Sequence, residues 1–464
     1  MLSHVCLGSD FPVKFYYYVL VSEDVNPFCQ ALNGFALSFL YDSYNIFQIN
    51  MKVLLCGNTN NYPLVLAQGF RDLGHDVCLA VTSKKPLYRP ENKHAEWADN
   101  YPEWIIDCSS VPCQSPHFPV PIFSELKKAL PPIESFDLVI LNHYCVSLAP
   151  DFAGKVVSFL TGSDLTVLAS YNFSQVINKL KISGNLKQNR PGLFSRASCV
   201  FNQRFGIVSS DLVCYPAKGI DPQGDYLLQE IGVNDTSRYM LYLSNTTEIM
   251  PIPYDSTCLQ GPLKIMFGGR LNFDTSRASD ILSPSSSSST FSGINLDDKG
   301  IDLFLKGFIK FIRSGHSAQL TLFRKGSCVN LVEEMLRKGN ISGNVQWLDE
   351  VSQSQFYDVM NDSHVIVDSV APHNFPAMVS LDAYAMGKVV MANMRDEVFC
   401  KVFSSTLPGL NVVTPDDVFS KLSILDENRE YLQKIGSVSR SFALDYLSPT
   451  VMASRLIKRV FTTI

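Results

Sequence analysis

The sequence predicts an α/β protein in which two halves, each built on a parallel sheet, follow one another along the chain. Short apolar runs alternate with segments of helical periodicity from residue 51 onward, which is the pattern of βαβ units. The pattern restarts near residue 262, after a Pro-rich stretch at 250–255 that we interpret as the linker between the halves. A chain of 464 residues is long enough for two hydrophobic cores.

Composition excludes several classes of protein. Apolar residues make up 46% of the chain and charged residues 18%, so most of the chain is expected to fold. The formal net charge of −5 argues against a protein that coats nucleic acid. No apolar run reaches the roughly 18 residues that a membrane span needs. The 12 cysteines are scattered without a Cys-x-x-Cys pair, which favours reduced thiols and a cytoplasmic location.

The first 50 residues differ from the rest of the chain. They contain no arginine and lack the order of basic region, apolar core and small-residue cleavage site that marks a secretory signal. Residues 51–57 (MKVLLCG) instead read as a first strand that enters a glycine turn. We therefore expect the fold to begin at Met51, with residues 1–50 an appendage or a mis-assigned upstream start.

Apolar runs bounded by turn residues predict ten strands. They span 51–56, 76–81, 137–142, 156–161 and 211–216 in the first half, and 263–268, 318–323, 344–348, 364–369 and 388–393 in the second. Helical patterns predict helices at 63–74, 299–314, 329–338, 353–361, 377–386 and 447–461. Gly74 occupies the C-cap position of the first of these helices.

Four stretches resemble motifs of the GT-B fold glycosyltransferases, especially family 4, the retaining group 1 transferases. The most specific is LKIMFGGRL at 263–271, followed by KGIDLFLKGF at 299–308. The segment 374–390 (NFPAMVSLDAYAMGKVV) looks like the family's E-x7-E motif, and 159–164 (FLTGSD) resembles its acceptor-side loop. The likeness covers roughly residues 51–461 and implies two Rossmann-like β/α/β domains that face each other across a cleft.

The resemblance implies that Arg270 and Lys299 hold the diphosphate of a nucleotide-sugar donor. Departure of the diphosphate leaves negative charge, so the rate depends on stabilising that charge. Arg270 offers a planar fork for phosphate oxygens, and Lys299 offers a compact second charge. The start of helix 377–386 would add backbone amides and the positive end of the helix dipole. Because these groups can replace a divalent metal, we expect no metal and no cofactor besides the co-substrate.

The E-x7-E likeness implies further donor contacts. Asn374 stands at the first glutamate, where it would reach the sugar hydroxyls, and it is expected to cap helix 377–386. Asp382 stands at the second glutamate, where it would accept hydrogen bonds from the ribose hydroxyls. Both positions depart from glutamate, so purely structural roles stay open for them. The expected donor-binding residues are Gly269, Val351, Asn374, Phe375, Pro376, Ala377, Met378 and Asp382.

Acceptor-side residues are expected where first-half strands end, because ligands bind parallel sheets at their carboxyl ends. His143 follows the 137–142 strand and is expected to contact the sugar or to act as an acid–base group. It joins Arg270 and Lys299 in the expected catalytic set. As alternatives, His143 has only a structural role, and residues 162–164 form a plain turn. The expected acceptor-side residues are Gly57, Asn58, Gly162, Ser163 and Asp164.

The chain is therefore expected to have four parts. These are an appendage at 1–50, an acceptor-side domain at 51–255, a nucleotide-sugar domain at 256–446 with a flexible Ser-rich insertion at 275–297, and a helix at 447–464. The resemblance implies that this last helix crosses back to the first domain.

Four cations in the first half, Lys179, Lys181, Lys187 and Arg190, lack compensating acids. They form either a solvated surface or a patch that contacts anionic lipid or a phosphorylated acceptor. In the second case, a cytoplasmic protein would contact a membrane face peripherally.

The function implied is transfer of a sugar from a nucleotide sugar to an acceptor hydroxyl, with retention of anomeric configuration. The acceptor would be a glycan, a lipid-linked sugar or a small molecule, and nucleic acid is not an expected partner. A non-catalytic relative that binds nucleotide or glycan as an interaction module is one alternative, and it predicts binding without turnover. A sugar-nucleotide epimerase on the same fold is another, and it needs no acceptor.

Overall fold

The computed structural model describes residues 50–111, 123–170, 193–244, 260–278, 297–403 and 405–462. Contacts within the chain group residues 51–464 into one compact unit. The expectations for residues 1–49, the 250–255 linker, the cations at 179–190 and most of the Ser-rich insertion fall outside the described ranges.

The first half is built on seven parallel strands in the order β3-β2-β1-β4-β5-β6-β7. These strands are β1 (Lys52–Cys56), β2 (Asp76–Val81), β3 (Ile105–Asp107), β4 (Leu138–Asn142), β5 (Lys155–Phe159), β6 (Leu212–Cys214) and β7 (Arg238–Tyr239). The central strand β4 is buried along its whole length, as expected for a parallel sheet that is covered on both faces.

The second half is built on six parallel strands in the order β10-β9-β8-β11-β12-β13. These strands are β8 (Leu263–Phe267), β9 (Ala318–Phe323), β10 (Val345–Leu348), β11 (Val365–Val367), β12 (Val389–Ala392) and β13 (Leu410–Asn411). Here β11 and β12 are wholly buried.

Helices connect the strands of both sheets. In the first half they are α1 (Tyr62–Asp72), α2 (Phe123–Ala129), α3 (Ser163–Thr166), α4 (Leu193–Val208) and α5 (Pro222–Ile231). In the second half they are α6 (Ile301–Arg313), α7 (Val329–Gly339), α8 (Gln353–Asp362), α9 (Met378–Ala385), α10 (Asp396–Phe403), α11 (Pro415–Glu427), α12 (Glu430–Phe442) and α13 (Pro449–Thr462). Within the described ranges, no helix combines the length and the apolar composition that crossing a membrane requires.

The strand order of both sheets reverses beside the first strand of the sheet, and we call the reversal beside β1 the first switch point and the reversal beside β8 the second switch point. β1 lies between β2 and β4, and β8 lies between β9 and β11. At such a reversal the loops that follow the two central strands diverge, and the crevice between them is where open α/β sheets bind ligands. The fold therefore marks the loops after β1 and β4, and those after β8 and β11, as candidate sites.

The predicted class, with two parallel sheets in tandem, is confirmed. All ten predicted strands and all six predicted helices form, with bounds that agree to within two residues. Gly74 has the positive φ of 88° that its C-cap role requires. The prediction missed β3, β7 and β13, which are edge strands of only two or three residues.

The core of the second half depends on the apolar face of α6. Phe304, Phe308 and Phe311 are fully buried against residues of β8 and β9. Neighbouring rings of this series stack with centroids 5.8 and 6.4 Å apart. Because aromatic side chains bury large apolar areas, this face fixes α6, and with it the loop just before α6, on the sheet.

The C-terminal helix α13 returns to the first half and packs along α1. Gly69 of α1 makes this close approach possible, because a Cβ atom there would overlap the backbone of Pro449. The first-half chain also enters the second half: Tyr242 packs with its ring centroid 5.5 Å from that of Phe399, and its hydroxyl donates to the Pro376 carbonyl. Tyr242, a residue of the first half, therefore fixes the loop before α9.

His364 is a buried histidine whose ionisation opposes folding at acid pH. Its Nδ1 accepts the backbone N–H of Lys264 at 3.1 Å. Burial, reinforced by the charges of Arg429, Lys264 and Lys388, lowers the pKa of His364 to about 4 from 6.5. Because the folded state disfavours the protonated ring, the stabilisation is complete above about pH 6.5 and is lost as the pH falls toward 4.

We predict that His364→Asn removes this pH dependence, because Oδ1 of asparagine can accept the same hydrogen bond and does not titrate. Between pH 7 and pH 4.5, the unfolding free energy of the wild type should fall by about 2 to 3 kcal/mol more than that of the variant. Urea denaturation at several pH values measures this difference. Parallel pH profiles for the two proteins would contradict the prediction.

Candidate functional site

The loop after β8 brings two predicted donor elements together through its glycines. A Cβ atom at Gly268 would overlap Val379 of α9. At Gly269, a Cβ atom would lie 3.5 Å from Cγ of Lys299. The absence of a side chain at Gly268 therefore lets the start of α9 approach the end of β8 closely, and Lys299 lies beside Gly269.

Arg270 and Lys299 are cations that no described residue neutralises directly. Arg270 is exposed and Lys299 half-buried, and neither side chain hydrogen-bonds or forms an ion pair within the described ranges. The charge of Glu350 interacts with Arg270, but Glu350 is itself paired with Lys325. Two cations without their own carboxylate at a switch point form a suitable anion site.

Backbone hydrogen bonds fix Lys299 beside Arg270. The Lys299 N–H donates to the carbonyl of Asn272 at 2.9 Å, two residues after Arg270. The Lys299 carbonyl accepts the Val370 N–H at 3.0 Å, which ties it to the loop after β11. Gly300 follows with φ 67°, and a Cβ atom there would press on that loop.

Arg277 forms ion pairs with Asp298 and Asp302, which lie on either side of Lys299. We call these three residues the arginine clip. Arg277 lies before residues 279–296 and forms two hydrogen bonds to Asp298, at 2.7 and 2.9 Å, just after them. It also forms two to Asp302, at 2.8 and 2.9 Å. The clip lies at the two ends of the expected Ser-rich insertion at 275–297, whose flexibility stays a prediction.

The prediction that Asn374 caps α9 is wrong. Its Nδ2 donates to the Asp298 carbonyl at 2.7 Å, and its Oδ1 accepts the Phe375 N–H at 3.0 Å. The amide is buried and supports the residue next to Lys299. These contacts hold the Asn374 side chain in place, and its expected contact with the donor sugar stays a prediction.

The carboxylate of Asp368, at the end of β11, takes the place expected for Asn374. Its Oδ2 accepts the Ala377 N–H at 2.7 Å and the Ser380 hydroxyl at 2.8 Å. The N–H groups of Met378 and Val379, in the first turn of α9, have no partner among the described residues. An anion bound at the start of α9 could therefore accept hydrogen bonds from the N–H groups of Met378 and Val379. The N–H of Ala377 already donates to Asp368.

Asp382 lies on α9 at the junction between the halves. Its Oδ1 accepts the Ser244 hydroxyl at 3.2 Å, and its Oδ2 accepts the Tyr357 hydroxyl at 3.3 Å. Burial and the charge of Asp382 together raise the pKa of Tyr62 of α1 well above its usual value. Asp382 thus contacts residues from both halves.

The remaining predicted donor residues surround the start of α9. Phe375 and Val351 pack, half-buried, against the apolar cluster behind α9, and Met378 is exposed. Pro376 is fixed by the Tyr242 hydroxyl and Ala377 by Asp368. The motif residues before α9 and after β8 thus lie in one region of the second half.

On the first half, Gly57 and Asn58 shape the turn after β1. Gly57 has φ 92°, and a Cβ atom there would overlap the carbonyl of Asn142. Asn58 is buried, its Oδ1 accepting the Leu64 N–H at 3.0 Å and its Nδ2 donating to the Tyr88 carbonyl at 2.9 Å. Asn58 therefore holds the turn and the neighbouring loop in place.

Asp164 of the predicted acceptor loop is committed to its own backbone. Its carboxylate accepts the N–H groups of Thr161 and Gly162, at 2.8 to 2.9 Å, and it is fully buried. Burial raises the pKa of Asp164. Gly162 has φ 125° and precedes Ser163, the first residue of α3. The hydrogen bonds of Asp164 hold the loop, and half-buried Gly162 and exposed Ser163 form its outer surface.

His143 is the predicted residue whose geometry most favours a functional role. It follows β4 with φ 61°, a left-handed conformation that costs energy for a residue with a side chain and is enriched at functional sites. Burial and the charge of Lys85 lower the pKa of His143 to about 3, so the ring is neutral at pH 7. Its ring nitrogens form no hydrogen bond with a described residue.

The sequence analysis did not single out Tyr88, which lies next to His143 and contacts the turn of Asn58. Its ring centroid is 6.0 Å from that of His143, and the Lys85 ammonium lies 5.2 Å from the ring centroid. Burial and the charge of Asp164 raise the pKa of Tyr88, so the phenol stays protonated. Its only signal in the sequence was its position in the segment after β2, which follows a strand end in the predicted sheet.

Metal-ligating clusters are missing from the part of the chain that the structure describes. There, no three His, Cys, Asp or Glu residues lie close enough together to hold a metal ion. At the second switch point, the positive charge comes from the side chains of Arg270 and Lys299.

Comparison with known proteins was made for sequence and for structure. No protein-family model and no curated protein matches the sequence. Solved structures match the fold. HepE from Anabaena, in complex with UDP and glucose, superposes with a TM-score of 0.53 at 12% identity, over 89% of this chain and 100% of its own.

The fold is GT-B. A glycosyltransferase from Rickettsia africae and the sucrose-phosphate synthase of Thermosynechococcus elongatus each match with a TM-score of 0.54 at 12% identity. In both cases 89% of this chain and 100% of the other chain are covered. The predicted fold of two Rossmann-like domains is therefore confirmed, while identities this low show the fold alone.

Proposed function

We propose that this GT-B protein transfers a sugar from a nucleotide sugar to an acceptor hydroxyl. The observation that carries the proposal is the pair Arg270 and Lys299, held together at the second switch point without carboxylate partners of their own. Two adjacent cations beside the open amides of α9 are suited to a diphosphate, which is the leaving group of a nucleotide sugar. The Anabaena structure of similar fold holds UDP and glucose, which supports a nucleotide ligand.

The proposed reaction proceeds on the front face of the sugar, with retention of configuration and without a metal. The bond between the anomeric carbon and the diphosphate oxygen breaks as the acceptor oxygen bonds to the same carbon. The acceptor proton passes to the departing diphosphate. Arg270 and Lys299 stabilise the charge that develops on the diphosphate, so their effect is greatest in the transition state.

His143 and Tyr88 would receive the acceptor sugar at the first switch point. The His143 ring is neutral and its nitrogens form no hydrogen bond with a described residue, so it could accept or donate a hydrogen bond to a sugar hydroxyl. Its strained backbone, beside Gln203, whose Nε2 donates to the His143 carbonyl at 3.0 Å, indicates that the fold holds the ring in one position.

Product analysis tests this function. We expect the protein, incubated in EDTA with UDP-, GDP- and ADP-sugars and a panel of glycans, to release nucleoside diphosphate only when acceptor is present. NMR of the product should show the anomeric configuration of the donor. Release without acceptor, or inversion of configuration, would contradict the proposal.

A non-catalytic GT-B protein that binds nucleotide or glycan as an interaction module is the second candidate. The E-x7-E positions favour it: the Asn374 amide is bound to Asp298 and Phe375, and the Asp382 carboxylate to Ser244 and Tyr357. It predicts that a nucleoside diphosphate binds and that no sugar is transferred to any acceptor in the same panel.

A further inference from the structure

A carboxylate at the junction of the two halves accepts hydrogen bonds from hydroxyl groups. Asp382 lies on α9 and is buried to 7% exposure. Its Oδ1 accepts the hydroxyl of Ser244 at 3.2 Å, and its Oδ2 accepts the hydroxyl of Tyr357, on α8, at 3.3 Å. Both bonds are longer than the distance of about 2.5 to 3.0 Å that is usual for a hydroxyl donor. Ligand hydroxyls that came closer would therefore bind the carboxylate more strongly.

A neighbouring amide orients the Tyr357 hydroxyl. Nε2 of Gln353, the first residue of α8, donates to the Tyr357 oxygen at 2.7 Å. Because a phenol carries one hydrogen, the Tyr357 proton is left to point at Asp382. Burial and the charge of Asp382 raise the pKa of Tyr357 well above its usual value, so the phenol keeps this proton. Tyr357 is therefore a fixed donor beside the carboxylate.

Tyr62 brings a further hydroxyl from the first half. It is the first residue of α1 and follows the turn after β1, at the first switch point. Burial and the charge of Asp382 raise its pKa, and Tyr62 in turn helps to raise the pKa of Tyr357. Because such interactions weaken with distance, the three groups belong to one cluster.

The Tyr62 hydroxyl has no partner among the described residues, although Tyr62 is only 7% exposed. Buried polar groups are normally hydrogen-bonded, and a hydroxyl can both donate and accept. The Tyr62 hydroxyl is therefore suited to a polar group of a ligand at the junction of the halves.

We call Tyr62, Ser244, Tyr357 and Asp382 the hydroxyl cluster. Its chemistry suits a pair of neighbouring hydroxyl groups: the carboxylate accepts their protons, and the phenols exchange hydrogen bonds with their oxygens. A phosphate suits it poorly, because the charge of Asp382 would repel it. An apolar group would leave the Tyr62 hydroxyl without a partner. The cluster therefore favours a sugar diol.

The position of Asp382 on α9 relates the cluster to the proposed diphosphate site. Asp382 follows Met378, the first residue of α9, by four residues. At a rise of about 1.5 Å per residue, Asp382 is about 6 Å further along the helix axis. In a nucleotide the ribose is joined to the phosphate through a single methylene group. A diphosphate at the start of α9 would therefore leave its ribose within reach of the hydroxyl cluster.

We propose that Tyr62 is a specificity-determining residue of the nucleotide site, whose hydroxyl binds the ribose diol together with the Asp382 carboxylate. The inference rests on the proposed function, because it assigns a first-half residue to the nucleotide of the same reaction. The nucleotide then contacts both halves, with its diphosphate at Arg270 and Lys299 and its ribose at Tyr62. The donor is accordingly a ribonucleotide sugar, and a 2′-deoxyribonucleotide donor is disfavoured.

Calorimetric titration of the full-length protein in EDTA compares ribonucleotides with their deoxy forms. The probes are UDP, GDP and ADP, each with its 2′-deoxy and its 3′-deoxy form. The variants are Tyr62→Phe, Asp382→Asn and, as a matched control, Tyr226→Phe. Tyr226 lies on α5 of the first half and is 66% exposed. The melting temperature reports whether each variant is folded, and the deoxy probes test the wild type without any substitution.

We expect one ribonucleoside diphosphate to bind the wild type and Tyr226→Phe alike, and at least about tenfold more tightly than its deoxy forms. Tyr62→Phe should weaken its binding roughly three- to tenfold, the size of one neutral hydrogen bond. For one of the two deoxy forms, Tyr62→Phe should change nothing, because the hydroxyl that Tyr62 contacts is already missing. Asp382→Asn should reduce the preference for the ribonucleotide more strongly, since it removes a charged acceptor.

Three results would overturn the inference and leave the proposed function standing. They are equal binding of a ribonucleotide and its deoxy forms, an unchanged affinity in Tyr62→Phe, and a loss in Tyr62→Phe that is the same for all three forms. The last of these is the result of a purely structural role for Tyr62. If no nucleoside diphosphate binds the wild type at millimolar concentration, the proposed function fails and the inference fails with it.

Discussion

Replacement of Arg277 by alanine is expected to lower the free energy of unfolding by about 3 to 5 kcal/mol. The substitution leaves two carboxylates behind, since Asp302 is fully buried and Asp298 is buried to 7% exposure. Neither has another cation within ion-pair distance among the described residues. Removing one partner of a buried ionic cluster strands the other charges in a medium that solvates them poorly. Urea denaturation measures the decrease.

Arg337 provides the matched control for this prediction. It also donates twice to a carboxylate, that of Glu334, at 2.8 and 2.9 Å, but its side chain is 70% exposed. Arg337→Ala should leave the unfolding free energy almost unchanged, because water replaces an exposed ion pair. Adding Asp302→Asn to Arg277→Ala should recover part of the stability. Equal destabilisation by the two arginine substitutions would contradict the role of the clip.

Replacement of both Arg270 and Lys299 by alanine is expected to weaken binding of a nucleoside diphosphate by roughly a hundredfold or more. Each residue would contribute a charge-assisted hydrogen bond, worth about 1.5 to 3 kcal/mol. Neither side chain is bonded to another described residue, so the fold should tolerate their removal. Calorimetric titration in EDTA gives the affinity, and the melting temperature reports the fold.

The control removes the same charge elsewhere in the second half. Arg337→Ala with Lys338→Ala takes two cations from an exposed face of α7. Because these two cations already pair with Glu334 and lie outside the loop after β8, nucleotide affinity should stay within about twofold of wild type. If both double variants bind nucleotide equally weakly, the effect is one of net charge and not of the donor site.

The regular elements were predictable because their signal is local. Runs such as 263–267 and 389–392 are almost wholly apolar, as buried parallel strands must be. The motif around Arg270 was also predictable, because the glycine turn before Arg270 is part of the motif itself. The glycine at 268 allows the close packing that the structure shows. The edge strands β3, β7 and β13 have too few residues for such a signal.

The site was harder to predict where residues meet only through the fold. Capping of α9 depends on Asp368, whose contact with Ala377 exists because β11 ends beneath the helix, so Asn374 was the wrong residue. Tyr88 lies in a short turn after β2 and reaches His143 only because β2 and β4 flank β1. Arg277 finds its partners across 279–296, a separation that no helical or strand periodicity encodes.

The proposed donor site requires that this chain hold the diphosphate of a nucleotide through its own cations. The most direct measurement is calorimetric titration of the wild type, in EDTA, with UDP, GDP and ADP and with the corresponding nucleosides. We predict that one nucleoside diphosphate binds at least about a hundredfold more tightly than its nucleoside, since a nucleoside offers no phosphate oxygens to the two cations. Equal affinity for nucleoside and nucleoside diphosphate, or no binding of any of them at millimolar concentration, would contradict it.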